Sequence, residues 1–317
     1  MKNSILFIAS FLLFSTVACQ QKATQKAAEP STSSGAQPMP PAPKYSLAQW
    51  SFNRELFAGK MTTVDYINAA GEMGFEGVEY VSQFFQDKVD NFTFLDSLNA
   101  ATKAAGVRSL LIMVDGAGNL GAADPEERNK AVEAHKKWVK AAQYLGCTAI
   151  RINAHGDGTP EEIKANCIDG IGRLAAWAQK ENIAIIIENH GGISNNGAWL
   201  ADLVADLQEY QVGTLPDFDN WCVERENGQL WGAPCIDRYD RYKGLTELMP
   251  YAKALSVKSF AFDEEGNETT MDYAKIFKIV QGSGYMGYLG IEFEGHDLPS
   301  REGISKTRNL VEKVWRR

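Results

Sequence analysis

At three places in this chain an apolar run ends in a carboxylate, and a second polar side chain follows two residues later. Ile185-Ile186-Ile187 leads into Glu188 and His190, Leu215-Pro216 into Asp217 and Asp219, and Ile291 into Glu292 and Glu294. If these runs are strands, two-residue alternation puts each pair on one face. Arg151, Asn153 and His155 alternate in the same way along another run, Ser256 and Lys258 along a further one, and Glu79 lies in yet another. Taken singly, each carboxylate is also explained as a helix cap or an ion-pair partner; their convergence is what points to chemistry. Carboxylates drawn to one place cannot all ionise without a counter-charge, and a divalent cation supplies it most economically. Oxygen donors with few imidazoles favour Mn²⁺ or Mg²⁺, with Zn²⁺ or Co²⁺ as alternatives. An inward Lys258 requires a carboxylate or a substrate as partner.

The elements that must position these groups alternate regularly from Tyr45 onward. The β-rich runs are Tyr45 to Phe52, Gly77 to Val81, Arg108 to Val114, Ala149 to Ala154, Ala184 to Asn189, Gly213 to Phe218, Leu255 to Phe260 and Tyr288 to Phe293. Between them, helical periodicity covers stretches near 62–73, 91–105, 124–145, 160–181, 197–210, 240–253, 270–282 and 300–315. Asp124 before Pro125 and Thr159 before Pro160 read as helix caps, and Gly106, Gly146, Gly213 and Gly284 as helix stops. This βα succession predicts an α/β fold, a single (β/α)8 TIM barrel over 45–317. An open doubly wound sheet is the alternative, but no GxGxxG follows the first strand. In a barrel, chemistry sits at the carboxyl ends of the strands, where the residues above fall. His135, in a helix beside Lys136 and Lys137, reads as surface or inter-helix packing.

Lys2, the apolar run Ile5 to Phe14 and the small residues Thr16-Val17-Ala18 before Cys19 predict a secretory signal over 1–18, with Cys19 lipidated. Ordinary cleavage nearby is the alternative. Residues 19–44 hold five of the eleven prolines and no aromatic residue, which predicts a flexible tether. The expectation is an exported lipoprotein on the periplasmic face of a bacterial membrane, attached through its lipid alone. Over 317 residues, a net charge of −8 with 44% hydrophobic residues fits an ordered globular protein and leaves no basic footprint for nucleic acid. No sequence signal bears on oligomeric state. Export makes disulfides possible: Cys222 and Cys235 flank one loop and could pair, while Cys147 and Cys167 read as small buried hydrophobes.

The strand ends IRINAHG, IIIENHGG, TLPDFDN and GYLGIEFEG, in this order and at barrel spacing, resemble the xylose isomerase-like TIM barrels, also called sugar phosphate isomerases/epimerases, from about Tyr45 to Arg317. The resemblance implies one divalent metal held by Glu188, Asp217 and Glu292, with Glu188 and Glu292 also moving the proton. On the seventh strand such relatives carry His and, two residues later, Lys; here Ser256 precedes Lys258, so the fourth ligand falls to His190, Asp219 or water. The implied activity is isomerisation or epimerisation of a small carbohydrate through an enediolate, and export favours a non-phosphorylated sugar. Lys258, His190 and His155 are then expected to orient hydroxyls or polarise the carbonyl. Asn153, Asp219 and Glu294 would contact the substrate, and Trp50, Phe52 and Trp221 would stack on it. A 3-keto-glycoside lyase or hydratase using the same site is the runner-up, and a sugar-binding lipoprotein without turnover is the third reading. No run resembles a phosphate cradle, although the amides of Gly191-Gly192 are placed to bind an anion.

Overall fold

The computed structural model describes residues 42–315, so the expected signal, Cys19 and nearly all of the expected tether lie outside the described residues. Aliphatic runs form β1 (Lys44–Ala48), β2 (Gly77–Val81), β3 (Arg108–Met113), β4 (Ala149–Asn153), β5 (Ala184–Glu188) and β6 (Gly213–Leu215). A separate antiparallel pair follows, β7 (Cys222–Arg225) and β8 (Cys235–Arg238), before β9 (Ser256–Ser259) and β10 (Tyr288–Phe293). The main sheet is parallel in the order β6-β5-β4-β3-β2-β1-β10-β9. Bridges from Thr214 to Ala252 and from Asp217 to Ser256 bring β6 against β9 and close the cylinder. The result is a (β/α)8 TIM barrel whose seventh and eighth strands are β9 and β10.

Alternation divides the strand side chains between two cores. Leu47, Val78, Ile112, Ile152, Ile187 and Ile291 point outward and are fully buried. They are covered by the ring of helices that follows the short α1 (Asn53–Phe57): α2 (Thr63–Glu72), α3 (Phe92–Ala105), α4 (Pro125–Tyr144), α5 (Pro160–Ala178), α6 (Gly197–Asp206), α7 (Arg241–Leu248), α8 (Tyr273–Gly282) and α9 (Ser300–Trp315). Each such aliphatic gains about 1.5–3 kcal/mol on burial. Ala48, Val81, Leu111, Met113, Ile186 and Leu215 fill the barrel interior instead. The expected caps form: Asp124 accepts from the Glu126 amide, and Thr159 with Glu162 makes a reciprocal capping box.

Several bounds differ from the sequence reading. The first strand stops at Ala48, and Gln49–Phe52 turn into a 3-10 helix. The sixth strand stops at Leu215 because Pro216 has no amide to give the ladder. Helix α7 ends at Leu248, where Pro250 lies in a following 3-10 turn. The chain reverses before β6 at Gln211, in the left-handed region at φ 53°, so Gly213 is a strand residue rather than a helix stop. Its missing side chain leaves room for Lys253, whose Cγ would lie 2.6 Å from a Cβ there. The hairpin β7–β8 adds to the eight expected βα units, and the Cys222–Cys235 bond joins its two strands. Cys147 and Cys167 are free and buried. No helix among the described residues is long and apolar enough to cross a membrane.

Candidate active site

The turn after β6 is built by Asp217, whose side chain is completely buried. Its Oδ1 accepts the amides of Asp219 and Asn220, both at 2.8 Å. Its Oδ2 takes the Ser256 hydroxyl at 2.7 Å and Lys258 Nζ at 3.1 Å. Asn189, just past β5, locks this turn: it accepts the Asp217 amide at 2.8 Å and donates to the carbonyls of Asp217 and Asn220. From β9, Lys258 also reaches Glu294 Oε1 at 3.1 Å and Asn220 Oδ1 at 3.3 Å, so its three N–H bonds have three acceptors. Burial would lower the Lys258 pKa, but Asp217, Glu294 and the neighbouring glutamates outweigh it and hold the ammonium charged.

Ser256 lies within hydrogen-bonding reach of Glu292 as well as Asp217. A hydroxyl has one proton to give, so both contacts are hydrogen bonds only when one carboxyl is protonated and donates to the serine. Glu292 is suited to that part, because burial pushes its carboxyl up to about 7 while Lys258 pulls the other way. Across the mouth Arg151, from β4, donates to Asp115 at 2.7 Å, and its Nε lies 2.7 Å from Glu188 Oε2. The second contact lacks hydrogen-bond direction, so both of its atoms remain without a hydrogen-bond partner. Asp115 is the hydrogen-bonded partner of Arg151 and Glu188 a second ion partner: burial would raise the Asp115 carboxyl, but Arg151 holds it well below the usual carboxylate range. Glu188, which accepts from Asn220 Nδ2 at 3.2 Å, is raised well above that range by burial, with Arg151 opposing.

Above these groups opens a cavity of about 320 Å³, within the size class of small-molecule sites. Trp50, backed by the rings of Phe57 and Phe84 at 5.8 and 6.0 Å, forms one part of its wall. Trp231, carried by the β7–β8 hairpin, forms another and packs 4.6 Å from the His190 ring. Of the residues singled out in the sequence, Trp50, Arg151, Glu188, His190, Lys258, Glu292 and Glu294 line this cavity, with Asp217 held beneath by Lys258.

The others stand back from it. Asn153 donates to Asp115 at 2.8 Å and accepts from Arg151, so it orients that pair. His155 reaches the His190 carbonyl at 2.7 Å and supports the wall from behind. Asp219 turns to Arg241 and Arg238 instead of to the cavity. Trp221 and Phe52 are core: Trp221 donates to the Phe218 carbonyl at 3.0 Å and packs against Gly244, so neither ring is free to stack on a ligand. The Gly191 amide is taken by Asn195 at 2.9 Å, which removes it as an anion donor. Sequence reading did not select Asp115, Asn220 or Trp231, and it noted Arg151 only for its alternation.

The donors do not fit the divalent ion expected from Glu188, Asp217, Glu292 and His190. Among the described residues no group of three or more His, Cys, Asp or Glu side chains is arranged to hold one. The chemistry of the set explains this: all four lone-pair directions of Asp217 face donors, Glu188 abuts Arg151, and Ser256 stands at the place of the usual imidazole.

Residues 67–314 match the family model described as xylose isomerase-like TIM barrel. A stretch of 67 residues is 37% identical to the C-glycoside deglycosidase alpha subunit of Arthrobacter globiformis, covering 21% of this chain and only 19% of that protein's length. Among solved structures, a 3-keto-D-glucoside 4-epimerase from E. coli superposes with a TM-score of 0.63 at 15% identity, over 86% of this chain and 100% of that one. A sugar phosphate isomerase/epimerase from Parabacteroides distasonis gives 0.65 at 17% identity, over 87% and 96%. At these identities the structural likeness is one of fold.

Proposed function

The chain belongs to the xylose isomerase-like TIM barrel family, and we propose that it isomerises or epimerises a non-phosphorylated sugar or sugar derivative by moving a proton at a carbon next to a carbonyl. The observation that carries this reading is the convergence of Glu188, Glu292 and Lys258 on one cavity walled by Trp50 and Trp231. A substrate carbonyl replaces Glu294, whose side chain is 24% exposed, as the outermost partner of Lys258. Glu292 in its ionised form, which a carboxyl pushed up to about 7 still populates at neutral pH, then takes the proton from the adjacent carbon, the C–H electron pair forms the C=C bond, and Lys258 stabilises the negative oxygen. Glu188 supplies a proton to the other face or the neighbouring carbon. His190 Nδ1, buried and without a hydrogen-bond partner, offers a seat for a sugar hydroxyl. The tryptophan faces suit the apolar side of a sugar ring.

Elimination from a 3-keto-glycoside shares the first step, and the local identity to a C-glycoside deglycosidase subunit favours it as the second reading. Product analysis separates them: a change of configuration marks the isomerase, and release of the aglycone marks the lyase. Glu292→Gln is expected to lower either rate by about 10²- to 10⁴-fold with the fold retained; full activity in that variant would overturn the assignment. Export and anchoring through Cys19 complete the reading, and Cys19→Ala is expected to abolish palmitate labelling and release the protein from membranes.

A further inference from the structure

We propose that this barrel transfers its proton without a divalent ion, the Lys258 ammonium standing as the electrophile in its place. The inference rests on the proposed carbonyl-adjacent proton transfer and parts company with the ligand set that the family resemblance implies. Its first support is Ser256. A neutral hydroxyl is a weak donor for a transition ion, and this one bridges Asp217 and Glu292. Its second is the saturation of Asp217, whose oxygens accept two amides, a hydroxyl and an ammonium, so that a metal would have to displace Lys258 or Ser256. Its third is charge. With Ser256 offering no imidazole, Lys258, 5% exposed and 3.1 Å from Asp217 and from Glu294, itself supplies the counter-charge that those carboxylates require. Arg151 serves the other half of the mouth in the same way, between Asp115 and Glu188.

The step balances without a metal. The C–H bond breaks toward Glu292, its electron pair becomes the C=C bond, and the carbonyl π pair moves onto oxygen, which accepts hydrogen bonds from Lys258. Collapse of the enediolate with a proton from Glu188 or Glu292 on the same carbon completes an epimerisation; for isomerisation the proton enters the neighbouring carbon while the remaining enol hydroxyl passes its proton to the anionic oxygen, and in neither case is an oxidant or reductant consumed.

The test pairs a binding readout with an activity readout on the wild-type protein. Protein purified without chelator, and the same protein dialysed against EDTA, are analysed for metal and titrated calorimetrically with Mn²⁺, Mg²⁺, Co²⁺ and Zn²⁺. Both are then assayed for solvent deuterium entering keto-sugars. We expect well under one equivalent of metal, no saturable binding at micromolar ion, and exchange rates within about twofold with and without EDTA. Lys258→Met is expected to lose about 10²-fold or more, with no rescue by added ions. About one equivalent of bound ion that EDTA removes, or exchange restored tenfold or more by an ion, would overturn the inference. If no keto-sugar exchanges under any condition, the enolising reading fails, and the calorimetric titration still decides whether the site takes a metal.

Discussion

Glu79 carries a carboxyl into the barrel interior with one oxygen bonded by Ser46 at 2.6 Å and the other without a partner. Burial pushes its pKa up to about 7. Between its unfolded value and 7 the folded chain holds the proton more tightly, so this group's contribution falls as pH rises through that window. Glu79→Gln is expected to stabilise the protein at pH 8 by on the order of 3 kcal/mol and to leave it nearly unchanged at pH 4, read by urea unfolding. Equal effects at both pH values would show that the carboxyl is not desolvated. At this scale the acids at strand ends were legible because apolar runs ending in a carboxylate have no packing explanation. Asp115 obeys the same rule after Leu110 to Val114 and was overlooked. Trp221 misled because an aromatic residue beside a strand end looks the same in sequence whether it faces the cavity or the helices.

The hairpin β7–β8 is the element with most leverage on the cavity that sequence periodicity could not supply. Its short strands are half exposed, and its position over the mouth is fixed by contacts distant in sequence: Trp231 against His190 and Gly191, and Leu230 against Gly192. Gly191 and Gly192 adopt φ of 93° and 59°, and a Cβ on Gly191 would come within 3.0 Å of the Trp231 ring. Trp231→Ala is expected to raise KM by about tenfold with kcat little changed, the pattern of lost uniform binding; a fall in kcat alone would place Trp231 in the chemistry. Replacing both Cys222 and Cys235 by Ser opens a cross-link spanning 13 residues. Loop closure sets that cost at about 3 kcal/mol at most if the hairpin unfolds with the barrel. A KM shift resembling that of Trp231→Ala without a change in global stability would show that the hairpin opens alone.

Over the whole molecule, Glu79 is opposed by His135. Burial in α4 lowers the His135 pKa to about 4, with its Nδ1 2.8 Å from the Ala131 carbonyl. The unfolded chain binds that proton more readily, so stability rises with pH between 4 and the usual histidine value, against the slope from Glu79. Glu79→Gln should therefore steepen the rise of stability from pH 4.5 to 6.5 relative to wild type, and His135→Gln should flatten or reverse it, each by about 3 kcal/mol across the window. Parallel curves for all three proteins would contradict both assignments. The barrel was legible as a whole because each βα repeat carries its own hydrophobic periodicity and caps. The charge balance at its mouth was not, since pairing Lys258 with Asp217 and Arg151 with Asp115 depends on side-chain positions that strand alternation alone does not fix.

Proton movement next to a sugar carbonyl by Glu188, Glu292 and Lys258 is open to a single decisive experiment. Its most direct test is to incubate the protein with 3-keto-glucosides and free ketoses in deuterated water and read the recovered sugars by NMR. Wild type is expected to place deuterium at a carbon adjacent to the carbonyl, and Glu292→Gln to place none above background. Sugars that bind saturably to wild type yet return unlabelled would contradict it and make the protein a sugar binder.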